Sequence, residues 1–247
     1  SVDEVSVFDV KSLTWSNLAP LPKPRSSHEL LMHEDKLYVI GGWNMKDGKG
    51  LEWHYNGLVA DLNESPMHWK KLPETEWTVR ANSAAILNDR LYVVGGLDDN
   101  GTSNAVRMLD LKTMKWSDLP AFPAKGHLKA FGAAACSLDG KLLVSSFSFQ
   151  PRILTEANGS WLPTTRKLET RRFFHRIVPI GKQKAVFLGG ANYDGHLNQI
   201  ETLDVGDQKS KTSPTTPPVP QKQKSKGKGT SWPGFRGNGN SRSLAND

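Results

Sequence analysis

Four tryptophans recur along the chain in the same local context, and this repeat constrains the fold more than any other feature. Trp15, Trp69, Trp116 and Trp161 are separated by 54, 47 and 45 residues. Each is followed closely by Leu and Pro, as in WSNLAP and WSDLPAFP. Seven positions before each Trp stands a large apolar residue: Phe8, Leu62, Leu109 and Leu154. Such a period predicts a repeat architecture in which one supersecondary unit is stacked several times.

Glycine pairs recur at a matching place in the units. Gly41-Gly42, Gly95-Gly96 and Gly189-Gly190 each end an apolar run, whereas the third unit reads LLVSSFS and lacks the pair. Because Gly has no Cβ, the pairs predict a close approach of backbones and unusual φ angles at the end of a strand. Each Trp is expected to supply a large apolar contact between neighbouring units.

Each unit has the pattern of four short strands. The clearest contains SAAIL, RLYVVGG, NAVRMLDL and KWSDLP, with the polar stretch LDDNGTS expected as a loop between the second and third strands. The runs are rich in β-branched, aromatic and Leu residues, and turn residues bound them. Apolar residues lie on both faces of such a unit, so it must pack against neighbours, which radial stacking around an axis provides.

The combination of an apolar run, Gly-Gly and a later Trp resembles the kelch repeat over roughly residues 1 to 205. The resemblance implies an all-β, kelch-type β-propeller of four-stranded antiparallel blades, with the first strand of each blade lining a central channel. The expected units are a partial blade at 1–22, blades at about 23–76, 77–123 and 124–167, and a partial blade at 168–205.

The last unit is expected to lack its fourth strand, because Ser210 stands where Trp is expected. Kelch propellers usually have six or seven blades. We therefore expect an incomplete propeller whose earlier blades precede Ser1, with an unusually small closed ring as the alternative.

The basic character of the chain is concentrated in its last 42 residues. Of the net charge of +7, residues 206–247 carry +6, from six Lys and two Arg against two Asp. The other 205 residues hold 24 basic and 23 acidic groups, so no nucleic acid partner is expected for the folded body. Residues 206–230, rich in Lys, Pro, Ser and Thr, predict a disordered linker.

The segment WPGFRG within residues 231–247 resembles the opening of a bacterial pyrroloquinoline quinone-binding-like propeller domain. It predicts the start of a following module that Asp247 truncates, with a stray apolar cluster in a disordered end as the alternative. This resemblance favours an extracytoplasmic protein in the periplasm or cell envelope of a bacterium. A cytoplasmic location is the alternative.

Kelch ligands generally meet the propeller at the channel mouth, at the loops that lead into the first strand of each blade. Cationic residues and histidines gather there. Arg25 with His28 and Arg172 with His175 share an R-x-x-H spacing. Arg80 is assigned to the same position as Arg25, and Lys129 is the nearest cation in the third full blade. Together they predict a ring that binds a carboxylate or an acidic peptide. Alternatively, each Arg pairs within its own blade.

Few catalytic or metal-binding patterns are present. One cysteine, Cys136, excludes an internal disulfide, and no H-x-H or H-E-x-x-H pattern occurs, so no metal or cofactor is expected. No apolar run of about 18 residues occurs, so no membrane span is expected.

The predicted function is a non-catalytic binding module, acting as a monomer, whose ligand is a protein, a glycan or an anionic small molecule. One alternative is a sugar-processing enzyme similar to sialic acid mutarotase, with His28 and His175 as possible acid/base groups. A structural scaffold of the cell envelope is the second alternative.

Overall fold

The computed structural model describes residues 1–46, 50–154 and 159–205, and these residues are all-β, with no α-helix among them. The predicted fold class, an all-β propeller of antiparallel blades, is confirmed. The predicted linker at 206–230 and module at 231–247 lie outside the described residues and stay predictions. The predicted limits of the individual blades also stay predictions.

The first eight strands form two blades and a connecting hairpin. Blade I is a pair, β1 (Ser6–Asp9) and β2 (Thr14–Asn17). Blade II has the order β3 (Glu29–His33), β4 (Lys36–Ile40), β7 (Leu58–Asp61) and β8 (Trp69–Lys71). A separate hairpin of β5 (Trp43–Lys46) and β6 (Gly50–Trp53) connects β4 to β7.

The remaining strands form three blades. Blade III consists of β9 (Ser83–Leu87), β10 (Arg90–Asp98), β11 (Gly101–Asp110) and β12 (Lys115–Leu119). Blade IV consists of β13 (Ala134–Leu138), β14 (Lys141–Ser145), β15 (Arg152–Leu154) and β16 (Trp161–Pro163). Blade V has three strands in the described residues, β17 (Arg176–Ile180), β18 (Lys184–Leu188) and β21 (Ile200–Asp204), with a short hairpin of β19 (Ala191–Asn192) and β20 (Gly195–His196).

The stretch LDDNGTS is not the loop that the sequence predicts. β10 and β11 continue through it and pair as far as Asp98 opposite Gly101, so only two residues turn the chain. The Asp98 carboxylate accepts the Asn100 backbone N–H at 2.8 Å, and Gly101 has φ +116°. The polar residues therefore form the tip of a long hairpin, since an Asx turn and a Gly can reverse the chain in so short a space.

The inner strands β3, β9, β13 and β17 lie side by side in chain order, and the core fills the spaces between successive blades. Tyr92 and Val94 of blade III, for example, share one buried cluster with Leu142 and Val144 of blade IV. A blade of this kind buries both faces only when neighbours flank it, which is why the repeat is stable as an array.

Each of three tryptophans ties its blade to the blade before it. The Nε1–H groups of Trp69, Trp116 and Trp161 donate to the carbonyl oxygens of Ala19, Pro73 and Pro120, at 2.9, 3.1 and 2.9 Å. Each acceptor lies four residues after the preceding Trp of the repeat. The Leu-Pro sequence after each Trp therefore turns a carbonyl toward the next blade, so that a half-buried indole has its polar atom satisfied.

Trp15 differs from the other three because the described residues place no blade against it. Its side chain is 70% exposed and contacts Phe8 of the paired strand, at 5.0 Å between ring centroids. In blades I, III and IV the residue seven before Trp lies opposite it, but in blade II Ala60 takes this place rather than Leu62. The connection between β7 and β8 is longer there, which shifts the register.

The glycine pairs lie where two backbones meet. A Cβ on Gly95 would lie 2.3 Å from the carbonyl oxygen of Ala130 in the next blade, and one on Gly96 would lie 2.6 Å from the carbonyl oxygen of Arg80 in its own blade. Both residues have positive φ, at +63° and +97°. The first Gly therefore permits the packing of blade on blade, and the second permits the chain to turn away from the strand.

Candidate functional site

Four structurally equivalent residues, one from each of blades II to V, surround the axis just before the inner strands. They are Ser27, Ala81, Gly132 and Phe174, and all have positive φ, between 48° and 62°. The N–H of Ala81 donates to the Ser27 carbonyl at 2.9 Å, that of Gly132 to Ala81 at 3.2 Å, and that of Phe174 to Gly132 at 2.7 Å. We call this series of backbone hydrogen bonds the axial ladder. Left-handed backbone at non-Gly residues is uncommon and marks a constrained site.

The axial ladder surrounds the mouth of a cavity of about 200 Å³. Its lining comes from the start of all four inner strands, with three residues each from blades II and V and two each from blades III and IV: Ser27, His28, Glu29, Ala81, Asn82, Gly132, Ala133, Phe174, His175 and Arg176. We call it the axial cavity. Since the first two of these register positions recur in all four blades, the repeat itself brings these side chains together.

One ion pair spans the axial cavity and connects β3 of blade II to β17 of blade V. Arg176 Nη1 lies 2.6 Å from Glu29 Oε1, and Glu29 is the more buried partner. Burial raises the pKa of Glu29, although the neighbouring guanidinium of Arg176 opposes this. The two charged side chains of the lining therefore neutralise each other.

Buried polar groups without a hydrogen-bond partner lie in the wall of the axial cavity. Asn82 is 4% exposed and has no partner for Nδ2 or Oδ1, and His175 is 2% exposed and has none for Nδ1 or Nε2. His28 Nδ1 is also unpartnered. Buried polar groups are nearly always hydrogen-bonded in folded proteins, so three such residues around one cavity point to a site where a ligand or water binds.

Both histidines of the axial cavity are neutral near pH 7. Burial lowers the pKa of His175 to about 3, and the cationic Arg172 and Arg176 add to the effect. Burial also lowers the pKa of His28, with further contributions from Arg25 and His54. A neutral imidazole offers one N–H donor and one acceptor nitrogen.

Arg25 and Arg172, which the sequence predicts as ligand-binding residues, hold their own blades together. Arg25 Nη1 donates to the carbonyls of Gly41 at 2.7 Å and Asn56 at 3.1 Å. Arg172 Nη1 donates in the same way to Gly189 at 2.9 Å and Gln199 at 3.1 Å, and its Nη2 pairs with Glu201. Both side chains are buried behind the axial cavity and do not line it.

Arg80 does not occupy the position of Arg25, so this part of the sequence alignment is wrong by one residue. Arg80 bridges Leu97, the residue after the Gly pair, whereas in blade II it is Ser26 that bridges the matching Trp43. Val79 therefore matches Arg25. The guanidinium of Arg80 lies 3.4 Å from the centroid of the Trp43 ring, away from the axial cavity.

The remaining predicted residues divide into two groups. His28 and His175 line the axial cavity, whereas Lys129 is exposed and does not. The sequence prediction missed Glu29, Asn82 and Arg176. Only their positions in the repeat could have identified them. Asn82 occupies the position of the two histidines in its own blade, and Glu29 and Arg176 each follow one of the histidines.

A connected group of aromatic rings extends outward from the mouth of the axial cavity. Phe174 contacts Phe173, which contacts Phe147, which contacts Tyr193, at centroid distances of 5.3, 5.5 and 4.9 Å. Arg171 lies 5.0 Å from the Phe147 ring. Phe174 and Tyr193 are 49% and 55% exposed. These residues, here called the aromatic cluster, offer an apolar surface beside the polar cavity.

A family model, the KLHDC2/KLHL20/DRC7 Kelch-repeats domain, matches residues 1–156. The chain belongs to the Kelch-repeat family. Among curated relatives, this Kelch chain is 26% identical over 163 residues to Kelch-like protein 40 of Xenopus laevis, covering 65% of the chain and 25% of that protein. It is 23% identical over 225 residues to alpha-scruin of Limulus polyphemus, covering 84% of the chain and 24% of that protein. The chain thus spans about a quarter of these relatives.

The solved structure of YjhT has the same fold as the Kelch chain, with a TM-score of 0.70 at 18% identity, over 83% of this chain and 74% of YjhT. Among the described residues, no helix of the Kelch chain is long and apolar enough to cross a membrane. The bacterial extracytoplasmic location and the quinone-binding-like module stay predictions.

On the face opposite the Gly-pair loops, the Kelch chain brings His33, Glu34 and Asp89 together from two turns. The sequence prediction of no metal site did not anticipate this grouping, because it joins two blades. Asp89 already accepts from His33 Nε2 at 2.9 Å and pairs with Lys112 Nζ at 2.8 Å. These contacts make the grouping an ion-pair network that connects the turns of two neighbouring blades.

Proposed function

We propose that this Kelch chain is a non-catalytic protein-interaction module that binds a peptide segment of a partner across the axial face. One group of the segment enters the axial cavity, and neighbouring side chains pack on the aromatic cluster. The observation that carries the proposal is the pair of buried, unpartnered side chains, Asn82 and His175, in the wall of an open cavity. Membership of the Kelch-repeat family supports the same function, since Kelch propellers generally bind proteins.

The composition of the surface around the axial cavity supports a protein partner. Protein interfaces are enriched in aromatic residues and Arg, and a few such side chains carry most of the binding energy. Phe174 and Tyr193 expose about half of their surface next to Arg171. Their rings are held by neighbours, so little conformational entropy is lost when a partner packs on them.

Selection from a random heptapeptide library displayed on phage tests the proposal. Selected peptides are synthesised, and their affinity is measured by fluorescence anisotropy for the wild type, Tyr193→Ala and Trp15→Ala. Trp15 is the matched control, because it is an exposed aromatic residue of blade I that is remote from the axial cavity. We expect Tyr193→Ala to weaken binding about tenfold, as for a hot-spot residue, and Trp15→Ala to leave it unchanged. Failure to select any binder, or binders that respond equally to both substitutions, would contradict the proposal.

A second candidate function, ring opening of a sugar, has one observation in its favour. Glu29, His28 and His175 line the same cavity, and all three have a shifted pKa. Such groups mark functional sites in many enzymes. However, His175 with a pKa of about 3 is a weak base, and Glu29 is held by Arg176. The test is the rate of anomer exchange of N-acetylneuraminic acid, followed by proton NMR with wild type and Glu29→Gln. An acceleration that Glu29→Gln abolishes would favour this enzyme function over binding.

A further inference from the structure

We propose that the axial cavity receives a primary carboxamide, the side chain of Gln or Asn in the bound peptide segment. This inference rests on the proposed function and names the group that the same site recognises. Charge balance, hydrogen-bond inventory and size each support it.

The charges around the axial cavity disfavour ligands of either sign. Glu29 and Arg176 are the charged residues of the lining, and they already pair at 2.6 Å. An incoming carboxylate would lie beside the largely buried carboxylate of Glu29. An incoming ammonium would face Arg176, with Arg25 and Arg172 behind the two histidines, close enough to lower their pKa. Like charges in a partly buried site repel strongly because little water screens them. An uncharged ligand avoids both penalties.

The unpartnered groups of the wall require a ligand that both donates and accepts hydrogen bonds. Asn82 carries two N–H donors and one carbonyl acceptor, and neutral His175 carries one donor and one acceptor. A carboxylate can only accept and an ammonium can only donate, so either would leave buried atoms unpaired. A primary carboxamide has the same inventory as Asn82 itself and can pair with it reciprocally.

Asn82 and His175 must reorient their side chains to present these atoms to a ligand. At 4% and 2% exposure, both side chains lie in the wall with their polar atoms shielded. Each ends in a planar group with polar atoms on its edges. In the free chain Asn82 Oδ1 packs toward Gly41 of blade II, so binding requires that the ligand turns a donor or an acceptor toward the axial cavity by rotation about the last side-chain torsion, which is broad for such groups.

The size of the axial cavity fits one side chain rather than a whole small molecule. Its volume is about 200 Å³, below the roughly 300 Å³ at which sites for complete small ligands begin. Ala81, Gly132 and Ala133 add a small apolar surface to the lining, against which the methylene groups of a Gln side chain can pack.

Small-molecule probes test the inference separately from peptide binding. The ¹⁵N-labelled chain is titrated with propionamide, propionate and propylamine, and the side-chain NH₂ signals of Asn82 are followed, assigned by their absence in Asn82→Asp. We expect saturable shifts with propionamide and none with the two charged probes. A preference for propionate would overturn the inference in favour of an anion site. No shift with any probe would overturn it in favour of a cavity filled by water.

The selected peptides provide a second readout. Wherever a selected peptide contains Gln or Asn, that residue is replaced by its acid, by Lys and by an apolar isostere, and we expect each replacement to weaken binding about tenfold. Asn82→Asp should shift the preference from the amide toward Lys, whereas Asn63→Asp, in an exposed turn of blade II, should change nothing. Peptides that lack an amide, or tolerate its loss, yet still depend on Tyr193 would overturn the inference while the proposed function stands. Selective binding of a sugar would overturn it as well.

Discussion

Arg172 Nη1 donates a hydrogen bond to the carbonyl oxygen of Gly189 at 2.9 Å, and Arg25 makes the same bond to Gly41 at 2.7 Å. In each case the guanidinium connects the carbonyl of the first Gly of the pair to a carbonyl one or two residues before the third strand of the blade. The same R-x-x-H spacing thus places an arginine beneath the site and a histidine in its wall. The R-x-x-H pattern therefore combines two roles: its arginine stabilises the blade, and its histidine lines the axial cavity.

The first prediction compares how much a buried arginine, Arg172, and Arg80 each contribute to the free energy of unfolding. Arg172→Met should lower the free energy of unfolding by about 3–5 kcal/mol, because it leaves the Glu201 carboxylate without its cation and two partly buried carbonyls without their donor. Arg80→Ala should cost about 1–2 kcal/mol, the value of a half-buried cation–π contact. Urea denaturation followed by Trp fluorescence measures both. Equal losses in the two variants would show that Arg172 does not hold blade V together.

The second prediction concerns the contacts of Trp between blades. Trp116→Ala should destabilise the chain by about 2–4 kcal/mol, since it removes a large apolar contact and leaves the Pro73 carbonyl without its donor. Trp15→Ala should cost less than about 1 kcal/mol, because Trp15 is 70% exposed. Thermal unfolding measured by circular dichroism compares them. A loss for Trp15→Ala as large as that for Trp116→Ala would contradict the assignment of the inter-blade bond.

The third prediction uses two glycines of matched backbone conformation. Gly95 and Gly140 have φ of +63° and +67°, but a Cβ on Gly95 would meet the Ala130 carbonyl at 2.3 Å whereas one on Gly140 would meet nothing within 4 Å. Gly140→Ala should cost about 1–2 kcal/mol for the left-handed conformation, and Gly95→Ala should cost a further 1–3 kcal/mol or so for the clash. Denaturation midpoints measure the difference. If the two variants are equally stable, the blades do not approach as closely as described.

The fourth prediction concerns stability in acid. The pKa of His175 is about 3 in the folded chain and about 6.5 in an unfolded one. The unfolded state therefore binds more protons below about pH 6.5, and stability is lost as the pH falls from there toward 3, by up to about 1.4 kcal/mol per pH unit. In His175→Phe this part of the acid dependence should disappear, while His68→Gln, at an exposed position, should keep it. Urea denaturation across this pH range distinguishes them, and identical slopes for all three proteins would contradict the prediction.

The fold could be predicted from the sequence because its determinants are local and repeated. Blades I to IV each carry a repeat Trp, all five carry apolar runs, and blades II, III and V each carry a Gly pair, so a unit that lacks one signal is still recognised by the others. The position of individual residues just before blade III is harder to predict from the sequence. Val79 occupies the position of Arg25, but the adjacent Arg80 has the same residue type as Arg25, so the sequence alignment places Arg80 there instead.

The site could be predicted only in part because its determinants are not local. Asn82 shares a register position with His28 and His175 but not their chemistry, so no residue-type pattern connects the three. Glu29 and Arg176 are 147 residues apart, and their pairing depends on how four inner strands are arranged around the axis. Such contacts follow from the three-dimensional arrangement of the blades and have no signature in a window of sequence.

The fixed offset between each tryptophan and the carbonyl that its successor binds has an evolutionary consequence. Every junction from blade I to blade IV uses the same bond, from an indole N–H to the carbonyl four residues beyond the preceding indole. A duplicated unit inserted at any of these junctions brings both halves of that bond with it and restores the one it interrupts. Duplication or deletion of a whole unit can therefore lengthen or shorten such an array without redesign of the flanking units.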